Sequence, residues 1–399
     1  MDWVYLDNNA TTKPLPEVSD AVDRASRELW ANPSSVHRMG QQVRQRIELA
    51  RQSVAELIGA QPRELILTSG GTESDNLAIF GAAPLDQLTL ITTKVEHAAV
   101  REPAERIEKQ GGAVAYVDVD LNGAVQIDSL EATLDEHALP GRVTLVSIQW
   151  ANNETGVIQP IHAITQAMQA KRDQLSEQGQ RLKLLLHLDA TQAVGKLLVD
   201  VAASGCDMLT LAAHKFHGPK GVGVLWIRRG VRLQSTHVGG AQERDRRGGT
   251  ENTPGIIGMG VAAQHAKAFV SDSESIHHVR VLRDQLEEGI CQALPTTVIN
   301  SGQAERLWNT TNLGFPGIEA EAVLLGLSEQ GICASAGAAC SSGSLDPSPV
   351  LLAMGVPEPV AHGSVRFSLS RQTTRADIDR ALEVVPKVVG RLMQTLPTG

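Results

Sequence analysis

The run Leu184-Leu185-Leu186-His187-Leu188-Asp189-Ala190-Thr191-Gln192, followed by Asp207-Met208-Leu209-Thr210-Leu211-Ala212-Ala213-His214-Lys215-Phe216-His217-Gly218-Pro219-Lys220-Gly221, decides the fold. Each half is a short apolar strand that ends in a charge. Lys215 lies 26 positions after Asp189, about one strand–helix–strand unit. Both side chains then reach the same edge of a parallel sheet, where open α/β sheets bind ligands. Alone, Asp189 could ligate a metal, cap the next helix or pair with a buried cation. Lys215 could be a solvated turn residue, or an amine made nucleophilic by partial desolvation. His214 and His217 have no third partner at metal-ligand spacing. Taken together, a lysine facing an aspartate suits a pyridine cofactor whose ring nitrogen must stay protonated.

Working outward, the same texture repeats. Glu64–Thr68, Leu88–Thr92, Val114–Val117 and Val143–Ile148 read as further buried strands. Gln41–Gly59, Glu73–Phe80 and Ile161–Gln178 read as the helices between them. That alternation predicts an α/β fold with a mainly parallel sheet covered on both faces. After about residue 255 the pattern changes. Helices are expected over 256–270, 279–294 and 375–393, with a strand at Thr297–Asn300. The expected division is a large domain over 16–257 and a smaller α+β domain formed by 1–15 and 258–399. No internal repeat is visible.

The chain has 399 residues, 42% hydrophobic and 20% charged, the balance of a globular protein of two domains. Aromatics make up only 3%, so Leu, Val, Ile and Ala must build the core. A net charge of -9 speaks against a nucleic-acid partner. The start lacks a basic region followed by an apolar run, and no stretch is long enough to cross a bilayer. A cytoplasmic protein is therefore expected. The four cysteines, Cys206, Cys291, Cys333 and Cys340, show no disulfide framework. Arg228-Arg229 and the Arg244–Arg247 stretch read as solvated surface. Ala334–Ser344, almost all Ala, Ser and Gly around Cys340, reads as a mobile loop.

An anion site is expected where Ile66-Leu67-Thr68-Ser69-Gly70-Gly71-Thr72-Glu73-Ser74-Asp75-Asn76 passes from strand through Gly-Gly into a helix. It is neither a Walker loop nor a dinucleotide fingerprint. A tight turn capped by Thr72 is the plainer reading.

The motifs now add up. Tyr5-Leu6-Asp7-Asn8-Asn9-Ala10-Thr11-Thr12, Gly70–Asn76, Ala151-Asn152-Asn153-Glu154-Thr155-Gly156, Asp189–Gln192, His214-Lys215, Arg247-Gly248-Gly249-Thr250-Glu251-Asn252, the Cys340 loop and Val365-Arg366-Phe367-Ser368-Leu369 span nearly the whole chain. In that order they resemble the motifs of the NifS/IscS cysteine desulfurases. The resemblance implies a pyridoxal-phosphate-dependent transferase of fold type I and a homodimer with active sites at the subunit interface. It implies that Lys215 binds the cofactor covalently, that Asp189 pairs with the pyridinium and that Gln192 bonds the phenolic oxygen. His97 is similar to the imidazole stacked on the ring, implicated in proton transfer. Gly71, Thr72 and His214 resemble phosphate contacts, and Thr250 the one given by the neighbouring subunit. Asn153 lies near cofactor and substrate, and Arg366 resembles the fork that clamps the substrate carboxylate.

The implied reaction turns L-cysteine into L-alanine, with Lys215 moving the α-proton and the Cys340 thiolate taking the sulfur as a persulfide. An iron–sulfur scaffold or another sulfur-acceptor protein would then receive it. Selenocysteine lyase, or a catalytically weak cofactor-binding subunit of a sulfur-transfer complex, are the alternatives. No metal is expected. Two departures stand out: Ala212 replaces a serine three positions before the lysine, and Ser335-Ala336-Gly337-Ala338-Ala339-Cys340 lacks two of the family's hydroxyls. Cys333 is expected to be a structural thiol on a buried strand.

Overall fold

The computed structural model describes residues 3–180, 183–336 and 346–395. An N-terminal arm carries β1 (Val4–Tyr5). Seven strands then make the main sheet: β2 (Leu65–Thr68), β3 (Leu88–Thr93), β4 (Ala113–Val117), β5 (Val143–Gln149), β6 (Lys183–Asp189), β7 (Met208–Ala212) and β8 (Gly223–Ile227). Their order is β2-β8-β7-β6-β5-β3-β4. All neighbours pair in parallel except β8, which runs antiparallel to both β2 and β7. Residues of the inner strands are buried throughout, the signature of a sheet covered on both faces. A mainly parallel α/β sheet was the expectation, and strand positions agree within a residue or two.

Two apolar layers cover this sheet. One gathers Val43, Ile47, Val54, Ile148, Leu186 and Leu188, and the other Ile66, Leu77, Ile79, Leu90 and Leu145. A separate core unites Val4 and Leu6 of the arm with Leu282, Leu286, Phe315, Val365, Phe367 and Val385. Its sheet has the order β12-β10-β9, from β9 (Val298–Ile299), β10 (Thr310–Gly314) and β12 (Ser364–Ser368). The arm strand β1 pairs with β11 (Ile332–Cys333), so the first residues fold with the last third of the chain. The helix Thr253–Val270 runs unbroken across position 257 and places Ile256, Met259, Ala262 and Ala266 in the main-sheet core. The division proposed from the sequence therefore passes through one helix.

Two expectations change. Cys333 is only half-buried, because β11 is two residues long and lies beneath the exposed Tyr5 arm. Three of the arginines read as solvated are engaged. Arg228 pairs with the fully buried Asp207. Arg247 Nε meets Glu73 Oε1 at 2.8 Å, and Arg244 Nη2 donates to the Leu65 carbonyl at 2.7 Å. A buried carboxylate such as Asp207 needs a cation, and the nearby surface arginine supplies one.

Candidate active site

The parallel register of β6 and β7 sets Asp189 beside Thr210, so both strands finish at one edge. Asp189 Oδ1 accepts the Thr191 N–H at 2.9 Å, which orients the carboxylate at the strand end. This bond caps the turn that follows the strand, not a helix, and it does not consume both oxygens. Lys215 follows β7 within the short turn Ala213–Lys215. Its Nζ donates to the carbonyls of Asn9 at 2.6 Å and Ala10 at 2.9 Å. Thr12 N and Oγ1 both donate to the His214 carbonyl at 2.9 Å, fastening the arm to the lysine turn.

Gln192 Nε2 donates to the same Asn9 carbonyl at 2.9 Å. Asn9 Nδ2 in turn reaches the Asn153 carbonyl at 3.1 Å. That carbonyl also accepts from Arg366 Nη1 at 2.9 Å. One asparagine of the arm thus joins Lys215, Gln192, Asn153 and Arg366. The motif containing Asn9 was conspicuous, but no role was read for the residue.

Electrostatics bind the group further. Burial holds the His97 imidazole below its usual range; Asp189 opposes this and Lys215 reinforces it. His97 Nδ1 accepts the Ala99 N–H at 3.1 Å, so a neutral ring carries its proton on Nε2. His214 is pushed down to about 4 by burial first and then by Lys215. Two residues before Asp189, on the same strand face, His187 sits between Ser147 Oγ (2.9 Å) and Thr210 Oγ1 (3.0 Å). Burial holds His187 down to about 4, hence neutral. Asp75, with its carboxyl driven well up by burial and then by Asp189, lies 3.6 Å from His187. No role was read for Asp75, in the helix Gly71–Ala82, for Glu96, in the turn after β3, or for His187, inside β6, because a buried polar residue announces itself only through its partners.

The Gly-Gly turn has the geometry of an anion cradle. The helix Gly71–Ala82 is preceded by Gly70, which has no side chain to cap it, and Thr72 is exposed. A Cβ on Gly71 would lie 3.0 Å from Thr191 Oγ1, a buried hydroxyl without a hydrogen-bond partner among the described residues. A Cβ on Gly223 would meet Gly70 Cα at 2.7 Å, so the turn sits directly on β8. Uncapped helix N–H groups and an orphaned hydroxyl call for an oxyanion. With a lysine amine, a strand-end carboxylate and a half-buried imidazole alongside, the residues present fit pyridoxal phosphate.

Thr250 is exposed in the segment leading to the helix Thr253–Val270. Cys340 lies outside the described residues. Among the described residues, Ser335 forms a bridge with Arg366. Among the described residues, no group of three or more His, Cys, Asp or Glu side chains is placed to hold a metal. Nor is any described helix long and apolar enough to cross a membrane.

This combination of sheet, lysine turn and anion cradle defines a class, and the comparisons agree: the family model "Aminotransferase class-V" matches residues 4–381. Cysteine desulfurase 2 of Trichormus variabilis is 47% identical over 399 residues, covering 100% of this chain and 96% of that one. Cysteine desulfurase NifS of Azotobacter vinelandii is 44% identical over 397 residues, covering 99% and 94%. A solved NifS-like protein superposes with a TM-score of 0.87 at 35% identity, covering 98% of this chain and all of the other. A structure described as SspA in complex with cysteine gives a TM-score of 0.75 at 31% identity, over 93% and 99%. The chain belongs to the class-V aminotransferase family, within its NifS/IscS cysteine desulfurase branch.

Proposed function

We propose that this protein is a pyridoxal-phosphate-dependent cysteine desulfurase that converts L-cysteine to L-alanine and loads the sulfur on Cys340. The observation that carries the reading is the convergence of Lys215 and Gln192 on the Asn9 carbonyl, beside Asp189 and tied to Arg366. Full-length relatives that bear the name cysteine desulfurase support it, as does the cysteine in the SspA structure.

In this reading the cofactor supplies an electron sink for the charge left when the α-proton departs. Lys215 would hold the cofactor through its amine, and the same amine would move that proton from Cα. Asp189 would pair with the ring nitrogen and favour a proton there. Gly71, Thr72 and His214 would hold the phosphate, together with Thr250 from a second copy of the chain. His97 would sit beside the cofactor and could exchange a proton at Nε2. Arg366, with Asn153 beside it, takes the substrate carboxylate.

The Cys340 thiolate attacks the sulfur of cysteine. The C–S bond breaks, an S–S bond forms, and the former Cβ gains a proton to become the alanine methyl. The persulfide then passes to a sulfur-acceptor protein that serves iron–sulfur cluster assembly. A homodimer belongs to this reading, since Thr250, exposed in this chain, is assigned to the site of a second copy. A reducing cytoplasm suits Cys206, Cys291 and Cys333, all free thiols. The test is purified, cofactor-loaded protein given L-cysteine and a reductant. Sulfide and alanine in equal amounts support the reading; pyruvate in place of alanine refutes it.

A further inference from the structure

Behind Gln192 lies a lysine for which the reaction has no obvious use. Lys196 is 4% exposed, and its Nζ donates to Gln192 Oε1 at 2.6 Å and to the Gln192 carbonyl at 3.2 Å. The turn that presents it is rigid. Gly195 has φ +80° and no room for a Cβ against Phe216. The Lys196 carbonyl accepts from Trp308 Nε1 at 2.8 Å. A short relay results: Lys196 Nζ to Gln192 Oε1, then Gln192 Nε2 to the Asn9 carbonyl, which also receives Lys215 Nζ.

The direction of the Gln192 amide is the consequence that matters. An amide can turn over and exchange its oxygen for its nitrogen. Here an amine faces one end and a carbonyl faces the other, so only one orientation satisfies both. We propose that Lys196 is a positioning residue: it fixes the Gln192 amide so that the N–H edge points toward Asn9, Lys215 and the phenolic oxygen of the bound cofactor. The proposal rests on the cofactor assignment above and extends it to a residue that does not touch the cofactor.

The chemistry of the amine is consistent with this. Burial first, then Lys215 and Arg366, push its pKa well below the ordinary lysine range. A neutral amine has two N–H groups, and Lys196 has two acceptors, the oxygens of Gln192. The same small cavity is lined by Lys215 and Arg371, so a further cation there would be costly.

The experiment follows the absorbance of bound pyridoxal phosphate against pH, without substrate. A donor to the phenolic oxygen favours its anionic form, so weakening that donor raises the midpoint of the titration. Lys196→Met is expected to raise it by about one unit, the size of one hydrogen bond to a charged oxygen. Gln192→Leu should raise it at least as far, and the double variant no further than Gln192→Leu alone. Lys196→Gln, which keeps a donor but reaches less far, should fall between wild type and Lys196→Met. It also serves if the methionine variant does not fold. A lower melting temperature with an unmoved midpoint in either Lys196 variant means a merely structural lysine and overturns the proposal. Additive shifts in the double variant overturn it too. Should wild-type protein show no absorbance band that Lys215→Ala abolishes, the cofactor assignment itself fails and the proposal falls with it. The two failures are thereby distinguishable.

Discussion

Arg366 and Asp7 form an ion pair at 2.7 Å in which the arginine side chain is buried and the aspartate is 20% exposed. Asp7 thus places a carboxylate on Nη2 of the guanidinium that is assigned to the substrate carboxylate. An arriving substrate must share or displace it. Asp7→Asn removes that competitor and is expected to lower KM for cysteine severalfold with little change in kcat. A raised KM would instead make Asp7 a support that orients Arg366. Arg366→Lys loses the planar fork, and KM should rise roughly 10- to 100-fold, the worth of one hydrogen bond to a charged group. Steady-state kinetics on the two variants decides both points.

Lys215 has no substitute in the site. Lys215→Ala should abolish the absorbance of covalently held cofactor and cut alanine formation by about 10^3-fold or more. The readouts are the absorbance spectrum and amino-acid analysis. Lys196 cannot replace it, because its amine is already committed to Gln192. Residual turnover near the wild-type rate would mean that another group moves the proton.

Arg51 and Glu243 make a buried two-pronged pair, with Nη2–Oε1 at 2.7 Å and Nη1–Oε2 at 2.8 Å. Glu243 also accepts the Leu67 N–H at 2.9 Å. The pair secures three successive left-handed residues, Glu243, Arg244 and Asp245, with φ of 46°, 61° and 63°. Each costs about 1–2 kcal/mol in an L-residue and needs an anchor. Arg51→Met leaves the Glu243 carboxylate buried without its cation and should cost about 3–5 kcal/mol in urea denaturation. The segment leading to Thr250 should loosen with it, weakening cofactor retention in gel filtration. A loss below about 1 kcal/mol would show that the turn is held by other contacts.

Glu96 gives a pH dependence with a definite sign. Burial, reinforced by Asp189 and opposed by hydrogen bonds from Thr93 and Gln149, pushes its carboxyl from 4.5 up to about 8. Between those values the native state keeps a proton that the unfolded chain releases. Stability contributed below pH 4.5 is therefore lost as pH climbs toward 8, with a slope of up to about 1.4 kcal/mol per pH unit, and levels off above. Glu96→Gln cannot titrate, so its melting temperature should fall less steeply from pH 5 to pH 8. Parallel curves for the two proteins would place the ionisation elsewhere.

Much of this site was readable in the chain itself. Leu184–Asp189 and Asp207–Lys215 each put a charge at the end of an apolar run, and a local pattern of that kind survives folding. The antiparallel course of β8 was less legible, since a fully buried strand looks alike in either direction. Its clue was the connection, residues 213–222, too short for a crossover helix. Arg228 and Arg247 looked solvated because their partners, Asp207 and Glu73, are distant in sequence. Lys196 could have been noticed: it interrupts the apolar stretch Ala193–Val199 and lies four positions from Gln192. Only packing shows that its side chain turns inward.

The most direct test of the central claim is a single turnover without reductant. Cofactor-loaded protein is mixed with one equivalent of L-cysteine, alanine is counted, and peptide masses are recorded. The account predicts one alanine per sulfur gained, with the added sulfur on the peptide containing Cys340 and absent from Cys340→Ala. Alanine released from Cys340→Ala at the wild-type yield, or sulfur found on Cys333 or Cys291 instead, would contradict it.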